Sequence, residues 1–246
     1  MRIDSVAIVL GVRPHGEHGA VVRLLTPDHG LQACYVRGAR GRRLRPVLVP
    51  GNLVQAALSA RTDSQLAQGT IDLIESRGPL LGEPLAAAAI DWSTALAATA
   101  LPESQSYPRL YAALDGLLAA VEAAPAASGW GAALVRFELL VLAELGFGLD
   151  LERCAISGSR EQLVAVSPRS GRAVAAASAE PYSGRLLALP RFLVEGGPAS
   201  GWSEILDGLA LTGHFLMRDL LIDRARTVAE ARTRLIDRLR RAAGIA

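Results

Sequence analysis

The chain has 246 residues, of which 50% are hydrophobic and 20% charged, so it can form a packed core and is not expected to be mainly disordered. Its 26 basic residues are all arginine, which excludes phosphate-loop nucleotidases, protein kinases and Schiff-base enzymes, because each of these needs a lysine amine. The net charge of +2 combines a basic segment 1–80 (+4), an acidic segment 81–150 (−6) and a basic segment 151–246 (+4), which indicates separate surfaces for separate partners.

The first eighty residues predict an all-β domain. β-Branched residues, alternating patterns and intervening turn sequences indicate five strands, at residues 3–12, 20–26, 31–37, 53–59 and 65–77. In the fourth strand Val54, Ala56 and Leu58 recur at every second position, so we expect them on one apolar face. Five short strands joined by turns are typical of a small closed barrel of the oligonucleotide-binding (OB) type, with a small sandwich as the alternative.

From residue 80 onward apolar residues recur every three or four positions, which predicts helices. The expected ranges are 83–101, 107–123, 131–145 and 203–241, with a turn-rich stretch at 154–190. The third of these helices is apolar nearly all round, so we expect it at the centre of a bundle. We therefore predict an α+β chain with a five-stranded OB-fold barrel in residues 1–79. An α-helical domain should follow in residues 80–246, with a turn-rich insertion at about 152–190.

Five arginines lie within nine positions between the third and fourth predicted strands, and no acidic residue separates them: Arg37, Arg40, Arg42, Arg43 and Arg45. Guanidinium groups bind phosphate oxygens through charge-assisted hydrogen bonds, and the glycines at 38 and 41 let the backbone turn toward an anion. A solvated loop without a partner is the alternative. Tyr35 precedes the cluster and is suited to stack on a base, but aromatic content is only 4%, so backbone electrostatics should dominate.

Four further arginines, in two predicted helices, are candidates for binding. Arg234, Arg238 and Arg241 in the last predicted helix can supply a second phosphate-binding surface beside that of the arginine cluster. Arg136 lies in the most apolar helix, where a guanidinium needs a carboxylate or a position at the rim. It is part of an internal salt bridge or a side chain that extends along the apolar surface to water, or it is a receptor for the carboxyl terminus of a partner beside an apolar groove.

Support for metal or enzyme chemistry is weak. His15 and His18 flank Glu17 in a glycine turn without a third well-spaced ligand, so no metal site is expected. A hydrolase that uses Glu17 and His18 is the third and least supported of the function classes considered. Cys34 lies in an alternating strand and is expected in the core. The longest stretch without an ionisable side chain has 15 residues and contains prolines, and no leader pattern opens the chain, so we expect a cytoplasmic protein.

Several stretches in order resemble the bacterial RecO family, recombination mediators of DNA repair, over nearly the whole chain. They are Arg-Pro-His-Gly-Glu at 13–17, the turn at 25–30, Val-Arg-Gly-Ala-Arg at 36–40, residues 136–151, and Cys-Ala-Ile-Ser-Gly at 154–158. The resemblance implies a barrel followed by a helical domain, without catalytic turnover. It also implies annealing of DNA strands coated by single-strand-binding protein (SSB), docking of the acidic SSB tail, and cooperation with RecR to load RecA. A pure interaction adaptor, whose arginine loop docks an acidic partner, is the alternative.

One departure from the family concerns zinc. Zinc-containing relatives carry two Cys-x-x-Cys pairs after the central helix, whereas this chain has only Cys154, with Ser157 at the second position and no cysteine in residues 174–177. One thiolate cannot complete a tetrahedral structural site. We therefore expect no zinc and a segment held by packing and turn hydrogen bonds.

Overall fold

The computed structural model describes residues 1–62, 65–124, 126–221 and 226–245, which form two compact units, Met1–Ala123 and Ala124–Ala246. The first unit begins with a closed barrel of five strands in the order β1-β2-β3-β5-β4. The strands are β1 (Arg2–His15), β2 (Gly19–Thr26), β3 (Gly30–Val36), β4 (Leu53–Ser59) and β5 (Ala67–Glu75). β3 and β5 pair in parallel and the other neighbours are antiparallel. The barrel prediction is confirmed and the sandwich alternative is wrong.

The barrel core is built from alternating inward side chains, as the sequence pattern predicts. In β4, Val54, Ala56 and Leu58 are buried, while the residues between them face outward. Cys34 is fully buried in the same cluster, and a Cβ atom at Gly69 would lie only 2.7 Å from its sulfur. Glycine is therefore required where β5 passes the thiol. The prediction that Cys34 is a core residue is confirmed.

Two helices complete the first unit: α1 (Pro84–Ala100) and α2 (Pro108–Ala123). Arg77, at the end of the barrel, links these parts, because its side chain is only 2% exposed and donates from Nη1 to the carbonyl of Gly51 at 2.9 Å. Its Nη2 lies 3.5 Å from the carboxylate of Asp115 on α2. These two helices belong to the same compact unit as the barrel. The domain boundary between residues 79 and 80, predicted from the change of sequence period, stays a prediction.

The second unit contains helices and a small sheet. Its helices are α3 (Gly131–Glu144), the short α4 (Ala176–Ala179), α5 (Trp202–Phe215) and α6 (Arg226–Ala242). Three short strands, β6 (Leu163–Val166), β7 (Ala173–Ala175) and β8 (Leu187–Ala188), form a sheet in the order β7-β6-β8. This sheet lies in the predicted turn-rich stretch. It was missed because strands of two to four residues are too short to show alternation.

The continuous helix predicted over residues 203–241 is wrong. α5 passes into a π-helical turn at Leu216–Leu220, and Leu221 follows it in a bend. The part of the predicted helix at residues 222–225 lies outside the described residues. Among the helices that the structure describes, none has both the length and the apolar character needed to cross a bilayer.

Candidate nucleic-acid interface

The loop between β3 and β4, residues 37–52, is a compact series of turns anchored in the barrel. The amide of Gly41 donates to the carbonyl of Gly38 at 2.9 Å, and the amide of Arg45 donates to Gly41 at 3.0 Å. Gly38 has φ +70°, which glycine adopts without strain. Ala39 and Leu48 point inward and are 5% and 6% exposed, as members of the core cluster. The loop is therefore held at two apolar points while its arginines face outward.

All five predicted arginines of this loop are exposed, and we call Arg37, Arg40, Arg42, Arg43 and Arg45 the arginine loop. The Nη1 atom of Arg40 donates to the carbonyl of Glu17 at 3.1 Å, which holds this guanidinium beside the β1–β2 turn. Nη2 of Arg43 lies 3.6 Å from the carboxylate of Asp72, but both side chains are largely exposed, so the pair is weak. Within the described ranges it is the only carboxylate contact of the loop, which leaves most of the positive charge available to an anion.

Tyr35 lies on β3 just before the arginine loop and is half-buried. Its ring meets His15 edge to face, with centroids 5.9 Å apart. A Cβ atom at Gly19 would lie 2.2 Å from the Tyr35 hydroxyl, so glycine is required for the ring to lie across β2. Tyr35 is thus a fixed aromatic surface near the loop, and its stacking on a base stays a prediction.

The three predicted arginines of the last helix lie in the second unit, on α6. Arg234, Arg238 and Arg241 are spaced by four and three residues, which places them along one side of the helix. Arg234 and Arg241 are exposed and Arg238 is half-buried. Nε of Arg241 donates to the carbonyl of Asp237 at 3.2 Å. The opposite side of α6 buries Leu235 and Leu239, so the helix is amphipathic.

Arg136 is exposed on α3 and lines an apolar groove. Its Nη2 donates to the carbonyl of Phe192 at 3.0 Å and to that of Gly197, and its guanidinium lies 5.2 Å from the centre of the Phe192 ring. The remaining residues that line the groove, of about 350 Å³, are aliphatic: Leu139, Leu140, Ala143, Leu149, Leu151 and Leu193. Among the described residues Arg136 contacts carbonyls and an aromatic ring rather than a carboxylate, so an internal salt bridge is wrong there, and the receptor role stays a prediction.

The buried ion pair of α3 belongs to another residue, which the sequence analysis missed. Glu138 is fully buried and its carboxylate accepts hydrogen bonds from Nε and Nη2 of Arg232 on α6, at 3.1 and 3.0 Å. The hydroxyl of Thr212 also donates to this carboxylate. Side chains two positions apart, such as those of Arg136 and Glu138, project from different sides of a helix. Because the sequence of α3 is apolar nearly all round, its pattern does not show which of the two sides faces the core.

The segment around Cys154 does not fit a zinc ion. The Cys154 sulfur accepts hydrogen bonds from the amides of Ser157 and Ala175, at 3.4 and 3.3 Å, and no second cysteine is near. Burial favours the thiol, but hydrogen bonds from Ser157 and Ala175 outweigh it and lower the pKa of Cys154 to about 6. No cluster of three histidine, cysteine or acidic residues suited to a metal occurs in the described part of the chain, His15 and His18 included. The absence of zinc stays a prediction.

A cavity beside the arginine loop was also missed. It has a volume of about 410 Å³ and is lined by Val12, Ala39, Arg40, Arg45 and Leu48. The register of β1 against β2 shifts between Val9 and Gly11 and pairs Val12 with the buried Val22, whereas simple alternation from Ile3, Ala7 and Val9 would place Val12 on the outer face. The glycine at position 11, inside a strand pattern, is the signal that could have revealed this bulge.

The comparisons with known proteins agree with this architecture. The model for the N-terminal part of recombination protein O matches residues 1–77, and the model for its C-terminal part matches residues 82–226. The DNA repair protein RecO of Rhodospirillum centenum is 46% identical over 96% of this chain and 94% of its own length. The proteins of that name from Phenylobacterium zucineum and Cereibacter sphaeroides are each 43% identical, over 97% and 95% of this chain and 98% and 96% of their own lengths. The chain therefore belongs to the RecO family of DNA repair proteins.

Proposed function

We propose that this chain is a DNA repair and recombination mediator that binds single- and double-stranded DNA and anneals complementary strands. With RecR it helps to load RecA onto single strands coated by SSB, in the cytoplasm where the DNA lies. The observation that carries the proposal is the arginine loop, five exposed guanidinium groups fixed on a closed five-stranded barrel. Small barrels of this topology are common platforms for single strands.

Electrostatics explains how this loop would hold DNA. Each guanidinium is charged at all relevant pH values and offers a planar pair of donors that matches two phosphate oxygens. Binding releases the counterions condensed on the strand, so affinity should fall steeply with salt and depend little on sequence. The weak Arg43–Asp72 contact, at 3.6 Å and exposed, costs little to break.

Annealing needs more than one strand held by one molecule. The exposed side of α6, with Arg234, Arg238 and Arg241, offers a second basic surface. Its guanidinium groups repeat along one side of the helix, as a phosphate chain requires. Two basic surfaces lower the repulsion between two polyanions that approach each other, which supports the annealing role.

The groove at Arg136 fits the acidic C-terminal tail of SSB. Leu139, Leu140 and Leu193 offer an apolar surface, and the guanidinium of Arg136 beside them is suited to a terminal carboxylate. Arg136 is held by the carbonyls of Phe192 and Gly197, so it is positioned before a ligand arrives. A peptide that ends in an aromatic residue would place the ring in the groove and the carboxylate on Arg136.

We assign this chain no catalytic turnover, and the competing function is an adaptor whose arginine loop docks an acidic protein. Titrations of the intact protein separate them. A fluorescent oligonucleotide and an acidic peptide of equal charge are each titrated at two salt concentrations, and annealing of complementary strands is followed in parallel. A mediator binds the oligonucleotide more tightly, with a steeper salt dependence, and accelerates annealing. Preference for the peptide, without acceleration, would favour the adaptor.

A further inference from the structure

The cavity beside the arginine loop has features that phosphate binding does not explain. Two of its lining residues, Ala39 and Leu48, are almost fully buried and belong to the barrel core. Val12 on β1 lines it as well, with 37% of the residue exposed. None of these three side chains can donate or accept a hydrogen bond. A phosphate placed against them would lose its hydration without compensation.

Two arginines, Arg40 and Arg45, complete the lining of this cavity. Arg40 is held by its hydrogen bond to the carbonyl of Glu17, at 3.1 Å, and the backbone of Arg45 is fixed by its bond to Gly41. A guanidinium plane stacks well on an aromatic face and at the same time attracts a phosphate. The site thus combines an apolar surface with two planar cations, in a volume of about 410 Å³ that lies within the range of small-molecule sites, roughly 300–1,000 Å³.

We propose that this cavity is a subsite for one unstacked nucleobase of a DNA single strand. The base buries its faces against Val12 and Leu48, the guanidinium groups of Arg40 and Arg45 pack on it, and the adjoining phosphates contact the arginine loop. The inference rests on the proposed function. It adds that single strands are preferred to duplex at this loop, because a paired base inside a duplex cannot enter a cavity without the cost of unstacking.

An acidic side chain from a partner protein is the other ligand that two arginines suggest. A carboxylate would satisfy the guanidinium groups but would leave the apolar surfaces of Val12, Ala39 and Leu48 in contact with water. A base covers both kinds of surface. The chemistry of the lining therefore favours the base, and no feature of the cavity selects one base by hydrogen bonding, so little sequence preference is expected.

The test compares a fluorescent oligothymidylate with an abasic strand of the same length and charge, using the full-length protein at fixed salt. Val12→Gln replaces the apolar wall with a neutral polar group. Val6→Gln is the matched control, because Val6 is on the same strand, is 38% exposed and does not line the cavity. We expect the wild type and Val6→Gln to bind the normal strand about tenfold more tightly than the abasic strand. In Val12→Gln this ratio should fall to about twofold, with the affinity for the abasic strand unchanged.

The outcomes separate the subsite from the function on which it rests. Equal affinity of the wild type for the two strands, with both affinities falling as salt rises, would overturn the base subsite and leave phosphate binding intact. An unchanged ratio in Val12→Gln would overturn it as well, since the discrimination would then arise elsewhere on the barrel. If the wild type bound neither strand, the proposed DNA binding would fail and the subsite with it.

Discussion

The carboxylate of Glu138 on α3 and the guanidinium of Arg232 on α6 form a two-pronged ion pair across 94 residues of sequence, with distances of 3.1 and 3.0 Å. Glu138 is fully buried and the Arg232 side chain is 10% exposed. A guanidinium bound through two parallel hydrogen bonds fixes orientation as well as distance. This pair therefore sets the position of the helix that carries the second candidate DNA surface.

Removal of one partner from this pair should strongly destabilise the second unit. Glu138→Ala leaves the Arg232 guanidinium buried without its carboxylate, and we expect a loss of about 3–5 kcal/mol in the free energy of unfolding. Hydrogen exchange of the α3 amides measures the effect in this unit alone. The double variant Glu138→Leu/Arg232→Met should be much less destabilised than the sum of its single changes. Additive losses would contradict the pairing.

Arg77 should be irreplaceable by lysine. Its buried guanidinium contacts the carbonyl of Gly51 and the carboxylates of Asp115 and Glu75 at once, and an ammonium group cannot reach all three. We expect Arg77→Lys to lower the free energy of unfolding of the first unit by about 2 kcal/mol in urea titrations. The control is Arg13→Lys at an exposed position, with a change below about 0.5 kcal/mol. Equal stability of the two variants would contradict this role.

Cys154 should make stability depend on pH. Because the pKa of the thiol is lowered from 9.0 to about 6 in the folded state, the unfolded chain holds more protons between these values. The stabilisation of the folded state by the Cys154 thiolate is therefore complete above pH 9 and is lost as pH falls through 6. We expect the difference in unfolding free energy between the wild type and Cys154→Ser to grow as pH rises across this window, measured by urea titration at each pH.

Cys34, the other cysteine, should show a different pH dependence from Cys154. Burial raises the pKa of its thiol from 9.0 to about 12, so well below pH 9 the thiol is protonated in both the folded and the unfolded chain. The difference in unfolding free energy between the wild type and Cys34→Ala should therefore be constant between about pH 6 and about pH 8, and the contribution of Cys34 should decline only as pH rises through 9. If the Cys154→Ser difference were equally flat, the hydrogen bonds from Ser157 and Ala175 would not stabilise a thiolate.

Arg136→Ala should weaken binding of an acidic peptide that carries the SSB tail sequence and ends in phenylalanine. The variant removes the group suited to the terminal carboxylate and leaves the aliphatic groove, so we expect affinity to fall by about tenfold or more. Fluorescence anisotropy with a labelled peptide measures it. Arg153→Ala changes an exposed arginine of the same unit that does not line the groove, and it should bind like the wild type. Unchanged affinity in an Arg136→Ala protein with normal thermal unfolding would reject the assignment.

Local patterns in the sequence predicted the barrel and the arginine loop well. The alternation of Val54, Ala56 and Leu58 placed β4 correctly, and the cluster of arginines between two predicted strands is indeed a loop on the barrel surface. These features depend on neighbours in sequence, which periodicity captures.

Features that depend on distant contacts were not predictable in this way. The pairing of Glu138 with Arg232 joins residues far apart in sequence, and the burial of Arg77 depends on where α2 packs. The cavity at Val12 arises from a bulge in β1 that shifts the alternation. In each case tertiary packing decides which side of an element a residue faces, and the local sequence does not contain that information.

The salt dependence of single-strand binding tests the central claim, that the arginine loop holds DNA phosphates, most directly. If each of the five guanidinium groups neutralises one phosphate, the plot of log K against log salt should have a slope of about −3.5, and the triple variant Arg40→Ala/Arg42→Ala/Arg43→Ala should have a slope of about −1.4. The matched variant Arg153→Ala/Arg160→Ala/Arg185→Ala, at three exposed arginines of the second unit, should keep the slope of the wild type. An unchanged slope in the loop variant would contradict the account, because the phosphates would then be bound elsewhere.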